Sequence, residues 1–297
     1  MAGGTDIYPN IKRGQAEPKL VVSLARVPRL RGIRSDGKGG LRIGALTTLE
    51  EVASSDLVGR KSPALAEAAL GVGSPQIRNA ATLGGNLCQD TRCSYYDMPS
   101  AWREGIGYCM KKGGDVCRVA PGSDRCWAVS SSDMAPVAMA LGATALLVSS
   151  GGRRVVGMKS LYNDDGVSYL NKSREEIVTE VRIPPTDGLR AKYLKLRQRE
   201  SIDFPILGVA VAVRLDGRGV CSLARVVLGG VGSSPIEAEA SEEILTGGTL
   251  TDQRIAEAAI EASRLAKPLE NTSLTLQYRK EMVRVYVSRA LRALVAA

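Results

Sequence analysis

Residues 76–86 read Gln76-Ile77-Arg78-Asn79-Ala80-Ala81-Thr82-Leu83-Gly84-Gly85-Asn86. The stretch is irregular and glycine-rich, and it follows a helical segment, Pro63–Leu70, that stops at Gly71. Glycine at 84 and 85 permits close backbone approach to a ligand, while Thr82 and Asn86 supply hydrogen-bonding side chains. A comparable turn, Gly3-Gly4-Thr5-Asp6, precedes helical residues and offers successive backbone N–H groups, a natural cradle for pyrophosphate. Either loop alone reads more readily as a tight turn. Two such loops far apart in one chain suit a dinucleotide with a long reach.

Two other glycine patterns lead elsewhere. Gly32-Ile33-Arg34-Ser35-Asp36-Gly37-Lys38 resembles a P-loop, but Gly39 stands where a Mg²⁺-binding hydroxyl belongs, and the stretch joins two strands. No G-x-G-x-x-G is present, so NAD binding of the Rossmann type has no support.

The chain of 297 residues is long enough for about two domains. It contains no histidine, which removes serine–histidine hydrolysis, histidine-ligated zinc and histidine-ligated haem. Aromatic residues make up 4%, with a single Phe204, too few for a base-stacking surface. The net charge of +9 fits nucleic acid, an acidic protein partner or simply a solvated basic surface. The absence of a long apolar run or an apolar leader predicts a cytoplasmic protein with no membrane contact.

Patterning predicts an α+β fold in two parts, 1–185 and 186–297. In the first part, residues 19–24 and 41–45 read as strands. Thr48-Leu49-Glu50-Glu51 reads as a capping box opening a helix. Residues 143–149 and 153–156 read as a hairpin around Gly151-Gly152. A further helix runs from Ser132-Asp133 to Leu141, stopped by Gly142. In the second part, residues 193–199, 206–215 and 220–228 predict three antiparallel strands, followed by helices over 252–266 and 274–294.

Between 88 and 131 all periodicity is lost, and five of the six cysteines lie there: Cys88, Cys93, Cys109, Cys117 and Cys126. Cys221, on a predicted strand, reads as a small buried hydrophobe. No C-x₂-C pair of the usual zinc kind occurs. Four spaced thiolates in a basic loop suit a cubane iron–sulfur cluster, with zinc and unrelated thiols as the alternatives. Lys111, Lys112, Arg118 and Arg125 would favour thiolates and could steer an acidic partner.

Taken in order, Ala2-Gly3-Gly4-Thr5-Asp6, Arg42-Ile43-Gly44-Ala45, the 76–86 stretch and Ser132-Asp133 resemble the FAD-binding subunits of the molybdenum hydroxylases, the family of xanthine dehydrogenase and aerobic carbon monoxide dehydrogenase. The resemblance runs to the C-terminal helices. It implies a PCMH-type FAD-binding domain of two α/β subdomains and a C-terminal domain like that of the CO dehydrogenase flavoprotein. Most members lack the cysteine-bearing insert. Here the insert, 88–131, is similar to that of the 4-hydroxybenzoyl-CoA reductase β subunit in Leu87-Cys88-Gln89-Asp90-Thr91-Arg92-Cys93, Gly107-Tyr108-Cys109, Gly114-Asp115-Val116-Cys117 and Ser123-Asp124-Arg125-Cys126.

The resemblance implies that Cys93, Cys109, Cys117 and Cys126 ligate a [4Fe–4S] cluster, with Cys88 beside the flavin. It implies that Gly3, Gly4, Thr5, Asp6 and Ile7 wrap the FAD pyrophosphate and that Ile77, Ala81, Thr82, Gly85 and Asn86 line the second loop. Asp133 would bond the adenosine or ribityl portion, and Lys195 would approach the isoalloxazine, unless it is a plain surface strand residue. Relatives carry a strand and helix before the first loop, so a missing N-terminal strand and a looser grip on FAD are expected.

The activity implied is oxidoreductase electron relay, from ferredoxin through [4Fe–4S] and FAD to [2Fe–2S] clusters on a small subunit and a molybdopterin-binding large subunit, for reductive dehydroxylation of an aryl-CoA in a heterohexamer. The alternatives are the FAD subunit of an oxidising hydroxylase and, in another class, a zinc-stapled basic nucleic-acid-binding or scaffold protein.

Overall fold

The computed structural model describes residues 1–296. Helix α1 (Ile7–Lys12) follows the first glycine turn. Residues 19–24, expected as a strand, form none, with Leu20 79% and Val22 61% exposed. Their contact is with the chain start: the Met1 amino group donates to the Val22 carbonyl at 2.5 Å, and Leu24 N–H to the Met1 carbonyl at 2.9 Å. Leu20, Val21, Val22 and Leu24 line a cavity instead of joining a sheet.

Strands β1 (Ile33–Ser35) and β2 (Leu41–Gly44) pair through a turn held by Asp36, whose carboxylate accepts from Lys38 and Gly40 N–H, both at 2.8 Å. The P-loop-like stretch is thus a strand and its turn. Helix α2 (Leu49–Ser54) has the predicted capping box: Thr48 Oγ1 accepts from Glu51 N–H at 3.1 Å, and Glu51 accepts from Thr48 N–H at 2.6 Å. Helices α3 (Asp56–Lys61) and α4 (Pro63–Leu70) follow.

The stretch that reads as irregular contains two short helices, α5 (Pro75–Ala80) and α6 (Leu83–Leu87). Ser74 Oγ accepts from Ile77 N–H and Thr82 Oγ1 from Gly85 N–H, so each helix opens on a hydroxyl cap that compensates for its proline or glycines. The cysteine-bearing region stays irregular apart from α7 (Ser100–Gly105) and a short 3₁₀ turn, Met110–Lys112. Helix α8 (Met134–Ala140) ends before Gly142, at φ +70°.

The hairpin of β3 (Thr144–Ser149) and β4 (Gly152–Gly157) forms as expected, but β5 (Ile177–Ile183) was not foreseen. It is central: the first sheet runs β1-β2-β5-β3-β4, all antiparallel. The second sheet has four strands rather than three, β6 (Leu189–Leu196), β7 (Leu207–Leu215), β8 (Cys221–Gly229) and the two-residue β9 (Ile236–Glu237). Helices α9 (Glu239–Leu245), α10 (Asp252–Leu265) and α11 (Leu276–Val295) cover its outer face. Among the described residues no helix is long and apolar enough to cross a membrane.

Strand β7 joins the halves. Side chains alternate between faces at period 2. Val209, Val211 and Val213 pack into a core with Ala258, Ala262, Val283 and Val287 of α10 and α11. Ala210 and Ala212 belong instead to the core of the first half, with Ala138 of α8 and Ala68 of α4. Burial on both sides explains why β7 reads as an uninterrupted apolar run.

Candidate functional site: a cavity between two glycine loops

The two loops meet because their glycines let them. A Cβ on Gly3 would lie 1.8 Å from the Ala80 carbonyl oxygen, and one on Gly84 would lie 2.6 Å from Ala45 Cβ. Gly4 adopts φ +79°, a left-handed conformation that favours glycine. Between the loops lies a cavity of about 910 Å³, near the upper end of the ~300–1,000 Å³ usual for cofactor sites. Gly3, Gly4, Thr5, Asp6 and Ile7 line one side; Ile77, Ala81, Thr82, Gly85 and Asn86 line the other, with Cys88 and Asp133 between.

Several of these residues act differently from the expectation. Asp6 leaves α1 uncapped; its carboxylate accepts from Asp90 N–H at 3.1 Å and from Arg92 Nη1 at 3.0 Å, tying the first loop to the chain after the second. Burial raises its pKa, against the pull of Arg92. Asn86 turns inward, its Oδ1 accepting from Ser132 Oγ at 2.7 Å and Met134 N–H at 3.2 Å. Burial pushes the Cys88 thiol up to about 11.

Lys195 is not among the cavity-lining residues. Its Nζ lies 3.0 Å from the Asp133 carboxylate and donates to the Gly71 carbonyl at 2.9 Å. Tyr193 Oη donates to the same carboxylate at 2.8 Å. A carboxylate this deep needs a cation and donors beside it, and Lys195 meets that need rather than facing the cavity. Burial is the largest influence on both partners, raising Asp133 and lowering Lys195. Tyr169, Lys172, Arg174 and Glu176, on the approach to β5, also line the cavity, as do Asp203 and Phe204. No motif marks them in the sequence.

The six cysteines are all unpaired thiols. Cys93, Cys109 and Cys126 share one small core with Tyr96 and Ala128, and Cys117 is also buried. Burial pushes the Cys93 and Cys126 thiols up to about 11. Among the described residues no group of three or more His, Cys, Asp or Glu side chains is placed to hold a metal ion as it stands. Cys221 is a fully buried strand residue, as its pattern suggests. The four cations expected to face an acidic partner each have a partner within the chain. Lys111 pairs with Asp90 and Lys112 with Glu17; Arg125 pairs with Asp164, and Arg118 donates to the Tyr108 and Ile106 carbonyls.

Residues 1–186 match the family described as the FAD binding domain in molybdopterin dehydrogenase, and residues 192–294 match the CO dehydrogenase flavoprotein C-terminal domain. The chain belongs to the FAD-binding medium subunits of the xanthine/CO dehydrogenase family. This medium subunit is 30% identical over 292 residues to the 6-hydroxypseudooxynicotine dehydrogenase complex subunit alpha of Paenarthrobacter nicotinovorans, covering 98% of this chain and 84% of the relative. It is 28% identical to the carbon monoxide dehydrogenase medium chain of Hydrogenophaga pseudoflava, covering 99% and 88%. A solved structure of carbon monoxide dehydrogenase from Hydrogenophaga pseudoflava, lacking the Mo-pyranopterin moiety, superposes with a TM-score of 0.82 at 28% identity, covering 100% and 88%.

These matches show the broader expectation, an FAD-binding subunit of a molybdenum hydroxylase of the CO/xanthine dehydrogenase type. They give no support to the narrower one, 4-hydroxybenzoyl-CoA reductase, nor to the zinc-stapled scaffold. The residues present fit FAD: two loops that close over one cavity, glycines that a Cβ would jam, and a polar turn at each end.

Proposed function

We propose that this medium subunit holds FAD between its two glycine loops and relays electrons within a complex that includes a molybdopterin-binding large subunit and a [2Fe–2S] small subunit, in the cytoplasm. The single cavity shared by loops some eighty positions apart carries the reading. Bound FAD supplies the capacity to take up and release electrons singly or in pairs, and the protein supplies position and environment. Gly3, Gly4 and Thr5 present backbone to the ligand, with Asp6 and Arg92 pinning that turn in place. Ala81, Thr82 and Gly85 form the opposing wall, and Asp133, held by Tyr193 and Lys195, keeps a polar floor.

A narrower reading rests on the cysteine nest. Cys93, Cys109 and Cys126 share one small core and Cys117 is buried as well, together the number of sulfur donors a [4Fe–4S] cluster uses. Such a cluster gives the subunit a second electron port, as a ferredoxin-driven reductase of the 4-hydroxybenzoyl-CoA type needs and an oxidising hydroxylase does not. Anaerobic purification with neighbouring subunits, followed by visible spectroscopy and iron, sulfide and zinc analysis, tests both levels. Flavin bands with about four irons and four sulfides per chain support the full reading. Flavin without iron returns the chain to the oxidising hydroxylases, and a protein that takes up no flavin overturns the proposal.

A further inference from the structure

The basic charge of the chain is concentrated in one place. Residues 26–42 hold six cations, Arg26, Arg29, Arg31, Arg34, Lys38 and Arg42, against one acid, Asp36. Five of the chain's nine net positive charges therefore sit in this one stretch. It leads into β1, turns and returns along β2, forming one edge of the first sheet. Leu24 just before it and Ala45 and Leu46 just after it all line the large cavity, so the stretch is anchored to the cavity wall at both ends. Lys111, Lys112 and Arg125 in the cysteine-bearing region have carboxylate partners. Arg26, Arg29, Arg31 and Lys38 are exposed and, among the described residues, form no ion pair. Arg34, Arg42 and Arg182 share the single carboxylate of Glu180, at 2.5, 2.8 and 2.8 Å. The Glu180 side chain is 8% exposed and the three arginines 54%, 37% and 36%, so one buried acid fixes three guanidinium groups that still face water.

We propose that this edge is the docking surface for a small acidic electron-carrier protein that binds transiently beside the flavin; the proposal rests on the reading that the cavity holds FAD. A carrier that exchanges electrons with that cofactor has to approach the cavity wall, and the basic stretch borders it. Two carriers, each changing by one electron, balance the two-electron change of one FAD, whose two protons come from or return to water. Permanent subunit interfaces are apolar at their core, whereas electron-transfer encounters are small and owe their rate to charge. Within 26–42 the only exposed large apolar side chain is Val27. Five of the six cations are arginine, which protein interfaces favour over lysine and whose planar group meets a carboxylate with two hydrogen bonds. A charged edge also deters pairing between sheets, but four of the six cations lie outside β1 and β2.

The test is binding of an oxidised plant-type ferredoxin, an acidic carrier, to the whole complex. Surface plasmon resonance follows it over a range of ionic strength, with FAD content and subunit composition measured alongside. The variant Arg26→Glu/Arg29→Glu/Arg31→Glu breaks no ion pair and should slow association at least about tenfold at low salt. Wild-type association should fall steeply as salt rises, while that of the variant stays nearly flat. Lysine at the same three positions keeps the charge and should keep most of the rate. Unchanged association in the glutamate variant, with wild-type FAD content and subunits, would overturn the docking surface and leave the FAD reading intact. A wild-type complex without FAD would overturn the cofactor reading and the carrier's role with it, a result that binding rates cannot imitate. Loss of a neighbouring subunit from the folded variant would make the edge a permanent interface. Tighter binding of duplex DNA or of a phosphatidylserine vesicle than of ferredoxin would assign it to nucleic acid or membrane. Either result overturns the proposal. Should the triple variant not fold, Arg29→Glu alone, expected to slow association about twofold, gives the same decision.

Discussion

Lys195 on β6 and Asp133 at the start of α8 form an ion pair at 3.0 Å with side chains only 6% and 3% exposed, so the contact crosses from the second sheet to the first half beneath the cavity. Removing one partner of a buried pair strands the other charge, whereas replacing both removes the problem. Lys195→Met should lower unfolding free energy by about 3–5 kcal/mol. The double variant Asp133→Asn/Lys195→Met should recover most of that loss, as read by urea midpoints. Equal losses in single and double variants would show that the two residues are not coupled.

Gly3→Ala places a methyl group against backbone, 1.8 Å from the Ala80 oxygen, so the first loop must move off the second. Flavin retention through gel filtration should fall at least tenfold, about 1.4 kcal/mol of binding, with circular dichroism unchanged. Gly59→Ala is the matched control: its Cβ meets nothing within 4 Å, and it lies inside α3. That variant should keep its flavin and gain up to about 1 kcal/mol of helix stability.

On the narrower proposal of a [4Fe–4S] cluster, serine at Cys93, Cys109, Cys117 or Cys126 should each reduce iron from about four per chain toward none. Cys221→Ser should leave iron unaltered, since that thiol is buried on β8 in the second half. Iron that survives all four single substitutions would rule out the assigned ligand set.

Glu242 accepts from Val226 N–H at 2.9 Å, and burial pushes its carboxyl up to about 7, with nearby Glu237 adding to the rise. A folded-state pKa above the unfolded 4.5 means the fold binds the proton more tightly. Its contribution is therefore fully present below pH 4.5 and lost as pH rises through about 7. Glu242→Gln, which keeps an oxygen for Val226, should stabilise the protein by about 1–3 kcal/mol at pH 8. The gain should vanish by pH 4.5, and a gain independent of pH would contradict this account.

Much of this was visible in the residues because local chemistry and tertiary context agreed. The Thr48–Glu51 box, the Gly151-Gly152 hairpin and the Gly142 stop each carry their own geometry, and all three stand in the structure. The short helices α5 and α6 were hidden because proline and two glycines mask a pattern that hydroxyl caps and close packing on Ala45 and Ala80 sustain. Strand β5 escaped notice although Ile177 to Ile183 alternates, because its neighbours come from positions far away in the chain. The apolar residues at 20–24 read as a strand for the opposite reason: the pattern is there, but it lines the cavity instead of pairing with a sheet. At the site, the glycine loops were legible because only glycine fits there. Lys195 was not, since whether a strand lysine turns outward or toward a buried acid depends on an aspartate sixty-two positions earlier.

The double-sided burial of β7 limits how this molecule can be divided. A fragment ending at residue 186 would lose the cover that Ala210 and Ala212 give the α8 side of its core. The complementary fragment would expose that same alanine face to water. Neither piece is a portable cassette, and an engineer grafting this flavin cradle onto another redox partner would have to transplant the neighbouring sheet along with it.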